Sequence, residues 1–311
     1  MKAIRIHSYG DLDTLRFEDA PLPEPEARDV LVRVHAAAVN PVDWKIRAGY
    51  LSEMLPYQMP LTLGWDVSGV VERIGADVTD VSIGDAVYSR PDITRNGTYA
   101  EYAVMRASEV ALKPNTLSHN EAAAVPLAAL TAWQGLFDHA RLNEGDRVLI
   151  HAGAGGVGAF AIQFAKWAGA HVIATGSAAS EELIRSLGAD EFVNYRSQLF
   201  EKVLSKVDVV FDTIGGNTQV RSIQLLKDGG RLISVVGTPD AGALAAVGAS
   251  GALFMVQPSR NDLGRIGALI DAGSVRVLID SVFPLSEARA AHEKSQTGRA
   301  KGKIVLEVLP A

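Results

Sequence analysis

Cysteine is absent from all 311 residues. That excludes disulfides, thiolate nucleophiles and every zinc site built on Cys ligands. No apolar run reaches the length of a membrane span; the richest, around Ala245 to Val256, is short and broken by glycines. The opening MKAIRIHSYG alternates polar and apolar residues as a first strand does, without the continuous apolar core of a signal peptide, so a cytoplasmic protein is expected. An excess of positive charge is also missing. With a formal net charge of -6, neither nucleic acid nor an anionic membrane is expected as the main partner, and a small molecule is.

What is present is the mixture of a folded globular protein, 48% hydrophobic and 21% charged. The length exceeds one typical core and points to two domains, and the chain has two textures. From Met1 to about Asn115, short runs such as DVLVRVHAAAV, VSGVVERIG, DAVYSR and YAEYAVM are separated by Gly, Pro and Asp, as in a mostly antiparallel, barrel-like domain. From about Leu117 to Gln257, apolar strands (RVLIHA, HVIATG, VDVVFDTIG, RLISVVG) alternate with helical patterns (VGAFAIQFAKWAG, EELIRSLGA, TQVRSIQLLKD), the signature of a doubly wound parallel sheet. After Pro258 a helix (RNDLGRIGALIDAG), a strand (RVLIDSVFP), a second helix (LSEARAAHEKSQ) and a last strand (GKIVLEVL) are too short to form their own core, so they are expected to rejoin the first domain. The fold class is therefore α/β, with a mostly-β domain from residues 1–116 and 258–311 and a doubly wound domain from 117–257.

The stretch HAGAGGVG, 151–158, lies between a strand and a helix. Gly153, Gly155 and Gly158 form G-x-G-x-x-G, which provides a tight turn, close approach of a pyrophosphate to helix N-terminal N–H groups, and close helix–strand packing. Gly153, Gly155, Gly156, Val157 and Gly158 are thus candidate contacts to a dinucleotide. The following strand ends ATGSAAS, without the Asp or Glu that usually binds the ribose of NAD. Glu181 and Glu182 read as first-turn residues of a helix capped by Ser180. Thr175, Gly176 and Ser177 leave an uncharged, hydroxyl-lined space for a 2′-phosphate, and Tyr195 with Arg196 can complete it, so NADPH is the expected cofactor. Ala178 and Ala179, next in the run, add no cation.

On NPVDWKIRAGY (40–50), LGWDVSGVVERIG (63–75), GTYAEYAV (97–104), AAAVPLAALTAWQGL (122–136), AGAGGVG (152–158), LGADEFVNYR (187–196) and GKIVLEV (302–308), the whole chain resembles the medium-chain dehydrogenase/reductase superfamily. Within it, the resemblance is to the zinc-independent, NADPH-dependent quinone oxidoreductase and alkenal reductase branch. This implies a GroES-like catalytic domain formed by both chain ends, a Rossmann domain between them, and a homodimer. The catalytic-zinc ligand positions of the superfamily match Asn40, Trp65 and Leu127, and the short RPDITRNG replaces the structural-zinc lobe, so no metal is expected. The histidines at 7, 35, 119, 139, 151, 171 and 292 make no replacement cluster by spacing.

Hydride delivered to an enone or quinone leaves an oxyanion that needs donors. The resemblance assigns these to Asn40, Tyr50 and Lys45, with Tyr50 or water giving the proton. It makes Trp65 both wall and core, and places Thr131, the Val236, Gly237, Thr238 turn and the backbone from Val256 to Pro258 around the nicotinamide. Asn40 also reads as a helix N-cap, followed by Pro41 at the first position and Asp43 three residues on; the two roles are compatible. The alternatives are a non-catalytic, crystallin-like NADPH-binding protein and an enoyl-thioester reductase; the latter would need a basic cluster that the catalytic half lacks.

Overall fold

The computed structural model describes residues 1–309. Two compact units are present, one of residues 1–130 with the segment from Gln257 onward, the other Thr131–Val256. In chain order the first unit carries β1 (Lys2–Ile6), β2 (Arg16–Asp19), β3 (Asp29–Val39), α1 (Pro41–Arg47), β4 (Leu61–Thr62), β5 (Val67–Ile74), β6 (Ala86–Ser89), β7 (Tyr102–Arg106), β8 (Val110–Leu112), α2 (His119–Ala123) and the start of α3 (Pro126–Trp133). The second carries β9 (Arg147–Ile150), α4 (Gly156–Trp167), β10 (His171–Gly176), α5 (Glu181–Ser186), β11 (Glu191–Asn194), α6 (Phe200–Val203), β12 (Val207–Asp212), α7 (Gly216–Ile223), β13 (Leu226–Ser234), α8 (Ala241–Ala246) and β14 (Ser250–Leu253). The chain then returns to the first unit with α9 (Arg260–Asp271), β15 (Ile279–Pro284), α10 (Ala288–Gln296) and β16 (Lys303–Glu307).

The first unit is organised by β3, which pairs with β5, β7 and β16, all antiparallel. Alternation along it feeds separate cores. Val30, Val32 and Val34 pack with Val67, Val71, Val87 and Met105, whereas Ala37 and Val39 join Trp65, Leu63, Tyr99, Ile304 and Leu306. The register shifts between Val34 and Ala36, and beyond it Ala36 and Ala38 meet Ala123, Ala124 and Val305. The helix α2 thus lies on β3, with further contacts to β5 and β16. That packing holds residues 117–130 with the first unit, so the boundary falls after Leu130 and not after residue 116.

The second unit is a six-stranded parallel sheet in the order β11-β10-β9-β12-β13-β14. Its central strands are apolar where they are covered, as Val148, Leu149 and Ile150 of β9 illustrate, all fully buried, because helices pack on the sheet; the edge strands β11 and β14 are more exposed. Two boundaries differ from the sequence reading. The helix in TQVRSIQLLKD stops at Ile223, since Leu226 is already paired with Val207 in the sheet, and the strand in RVLIDSVFP starts only at Ile279.

Candidate functional site

The glycine turn joins β9 to α4, and its three glycines act differently. A Cβ on Gly158 would lie 2.3 Å from the Ala152 carbonyl oxygen, and one on Gly153 would lie 3.0 Å from both Ala174 Cβ and Ile162 Cδ1. These two set how closely helix and strands pack. A Cβ on Gly155 would meet nothing nearer than the Ala152 oxygen at 3.3 Å, so Gly155, the N-cap of α4, presents bare backbone. No side chain caps the helix among the described residues, leaving its first N–H groups suited to an anion. The turn is fixed from behind. Ala152, at φ +52°, donates its N–H to Thr175 Oγ1 at 3.3 Å, and the same hydroxyl meets His151 Nδ1 at 3.1 Å. His151 Nε2 lies 2.8 Å from Ser222 Oγ, and burial pushes the ring down to about 4, so it is a neutral element of the turn.

At the end of β10 the structure corrects two readings. The Thr175 hydroxyl points inward to His151 and Ala152 and does not line an open space. Ser180 makes no cap bond to α5; its hydroxyl sits 3.3 Å from that of Ser177. Tyr195 is brought beside Gly176, whose carbonyl accepts the Tyr195 N–H at 3.2 Å, and the Arg196 guanidinium lies over the Tyr195 ring. Ser177, Tyr195 and Arg196 thus surround a strand end that has no carboxylate before Glu181. Thr131 is buried, Val256 half-buried, and Val236 41% exposed. The Val236–Gly237 backbone is tied to Asp212, a residue the sequence reading missed. Asp212 accepts from Ile214 N, Gly215 N, Gln219 Nε2 and Ser234 Oγ at 2.9–3.0 Å, and Gln219 also donates to Gly237 O.

In the first unit a buried polar cluster surrounds Asn40. Asn40 stands at the N-cap of α1 with extended backbone; its Nδ2 donates to Asp66 Oδ2 at 2.8 Å and its Oδ1 accepts from Lys303 Nζ. Lys303 also pairs with Asp66 Oδ2 at 3.0 Å, and Asp66 Oδ1 accepts the Leu127 N–H at 2.6 Å. Burial raises the Asp66 carboxyl and Lys303 opposes that rise. All three partners are donors, so the carboxylate form is the one the site accommodates. Asp43 fixes the backbone instead, accepting the Asn40 N–H at 2.7 Å and the Tyr99 hydroxyl at 2.6 Å; burial lifts it to about 7. Sequence alone gave Asp43 a capping role and passed over Asp66, Tyr99 and Lys303. The available signal was a charge inside the apolar runs LGWDVSGVV and GKIVLEV.

The other expected residues divide. Tyr50 is 73% exposed, held by its N–H to Lys45 O and by an edge contact to Trp44. Lys45 lies over the Trp44 ring. Trp65 is fully enclosed, donating Nε1 to Arg95 O at 3.3 Å and stacking on Tyr57. It fills the core and presents no wall to a pocket. Together with Leu127 and an Asn40 oxygen already engaged by an ammonium, this donor set does not fit zinc. Among the described residues no group of three or more His, Asp or Glu side chains is placed to hold a metal.

Comparison with known proteins agrees with this architecture. Family models described as "Alcohol dehydrogenase GroES-like domain" and "Zinc-binding dehydrogenase" match residues 26–115 and 187–306. The chain is 35% identical to the mitochondrial NAD(P)H oxidoreductase RTN4IP1 of Danio rerio, covering 99% of this chain and 92% of that protein. It is 35% identical to the chloroplastic NADPH-dependent alkenal/one oxidoreductase of Arabidopsis thaliana, over 100% of this chain and 80% of the relative. The solved quinone oxidoreductase from Coxiella burnetii superposes with a TM-score of 0.93 at 37% identity, covering 99% of each chain. With whole-chain similarity of this kind, and with both a GroES-like unit and a parallel dinucleotide-type sheet, the chain belongs to the medium-chain dehydrogenase/reductase superfamily of oxidoreductases.

Proposed function

We propose that this protein is a zinc-independent reductase that uses NADPH to reduce quinones or α,β-unsaturated carbonyls. The observation that carries the reading is the bare-backbone turn at Gly155, beside a β10 end that offers Ser177, Tyr195 and Arg196 in place of a carboxylate. The Arabidopsis relative's name, an NADPH-dependent alkenal/one oxidoreductase, points the same way. NADPH, when bound, supplies a hydride equivalent; the first turn of α4 is suited to its pyrophosphate and Arg196 to its 2′-phosphate. Thr131, Val256 and the turn tied to Asp212 are assigned to the nicotinamide end.

Reduction of a conjugated carbonyl shifts an electron pair onto its oxygen, which donors must stabilise. Asn40, oriented by the cluster beneath it, is assigned one such bond. Tyr50, exposed on the loop after α1, supplies a hydroxyl for a second bond or for the proton. Trp65 acts from the core, keeping apolar the ground on which the site stands. A homodimer in the cytoplasm completes the proposal, although relatives named as mitochondrial and chloroplastic show that the family is not confined to one compartment.

The test is NADPH consumption at 340 nm against a panel of quinones, 2-alkenals and enones. Acceptor-dependent turnover is expected. Tight NADPH binding without turnover on any acceptor would favour a crystallin-like binding role, and turnover confined to acyl thioesters would favour an enoyl-thioester reductase.

A further inference from the structure

Lys303 is 4% exposed, and its Nζ reaches both Asn40 Oδ1 and Asp66 Oδ2. An ammonium only donates, a carboxylate only accepts, and a carboxamide does one of each at its two ends. Set between Lys303 and Asp66, the Asn40 carboxamide therefore has a single compatible orientation. Flipping it would bring Nδ2 against the ammonium and Oδ1 against the carboxylate. Asp66 takes one of the two Nδ2 hydrogens; among the described residues the other makes only a long bond to Ala38 O at 3.5 Å, the outer limit of a hydrogen bond, which a substrate oxygen could replace. Asp43 meets Asn40 through the main-chain N–H, so backbone and side chain are fixed by different carboxylates.

We propose that Lys303, paired with Asp66, is a positioning residue that locks the Asn40 carboxamide in the orientation that leaves one N–H for a substrate oxygen. This rests on the reading of Asn40 as an oxyanion donor. The ion pair also joins three distant segments: the start of α1 through Asn40, the start of α3 through Leu127 N, and the last strand through Lys303. One electrostatic unit thus carries both the orientation and the anchoring.

Removing Lys303 alone strands the Asp66 charge in the interior and is expected to impair folding. The informative variant is therefore Asp66→Asn/Lys303→Met, which removes both charges at similar volume. Two readouts are taken. Side-chain amide exchange of Asn40 is followed by NMR on protein labelled with 15N-asparagine, the signal being assigned by its loss in Asn40→Ala. Steady-state reduction of an enone is measured alongside NADPH affinity. In the double variant amide exchange should quicken by about tenfold or more, with kcat falling toward that of Asn40→Ala and NADPH affinity unchanged. Exchange as slow as in the parent would overturn the proposal. Faster exchange with undiminished kcat, in this variant and in Asn40→Ala, would support the positioning role and overturn the donor role of Asn40. Should the parent reduce no acceptor, the proposed function fails while the exchange measurement still decides the positioning. Lys303→Arg is the companion variant, keeping a donor-only cation in an intact pair. Slow exchange should persist in it, and fast exchange would count against an orienting role for the charge.

Discussion

Asp43→Asn should make the protein's stability less sensitive to pH. Burial lifts the Asp43 carboxyl to about 7 against the pull of Tyr99, the Asn40 N–H and Lys303, and with a push from Asp66; in an unfolded chain an aspartate titrates near ~3.9. Between these values the folded protein keeps a proton that the unfolded chain releases. The stability tied to this proton is fully present below pH ~4 and is lost as the pH rises through about 7. A difference of roughly three pH units at about 1.36 kcal/mol each makes the loss about 4 kcal/mol. The amide keeps one acceptor for Asn40 N and Tyr99 OH, while its NH2 takes the place of Oδ1, which has no partner. That cost is the same at every pH and cancels in the comparison. Urea unfolding of parent and variant at pH 4 and pH 7.5, followed by hydrogen exchange in β3 and β16, should show the variant gaining several kcal/mol on the parent at the higher pH. An equal stability difference at both values would mean that Asp43 titrates as an ordinary carboxylate, and the reasoning from burial would be wrong.

Gly158→Ala places a methyl 2.3 Å from the Ala152 oxygen and should destabilise the second unit by about 1–3 kcal/mol in thermal melts; an unchanged Tm would contradict the packing role. Gly155→Ala should leave Tm alone but weaken NADPH binding by about tenfold in titration, since its side chain would occupy the anion's approach. Arg196→Ala should weaken NADPH by about tenfold and leave NADH unaffected, and equal losses for both would remove the 2′-phosphate role. Activity should survive exhaustive chelation; loss with EDTA that zinc restores would refute the metal-free reading.

How much of this was legible in the sequence depended on whether the signal was local. The parallel sheet and its glycine turn were readable because apolar strands, glycines and helix starts follow each other within a few residues. The domain boundary was misplaced because the segment 117–130 looks helical either way, and only the packing of Ala123 and Ala124 on β3 assigns it. Thr175 was read as lining a space because sequence cannot say that its hydroxyl turns to His151. Asn40 drew attention through its position in the sequence, but the ion pair it contacts did not: Asp66 and Lys303 lie 237 positions apart, and a buried Lys reads like a solvated one until its partner is known. Trp65 was expected at the site from the position it occupies, yet it is fully buried, stacked on Tyr57 in the same core as Leu63 and Tyr99.

The central claim, direct hydride delivery from NADPH to a conjugated acceptor, is tested most directly by isotope transfer. The protein would be incubated with NADPH deuterated at C4 and an enone that it turns over, and the reduced product examined by mass spectrometry and NMR. The account predicts one deuterium at the β-carbon and a solvent proton at the α-carbon. A product whose β-hydrogen comes from water, with deuterium lost to solvent, would contradict it.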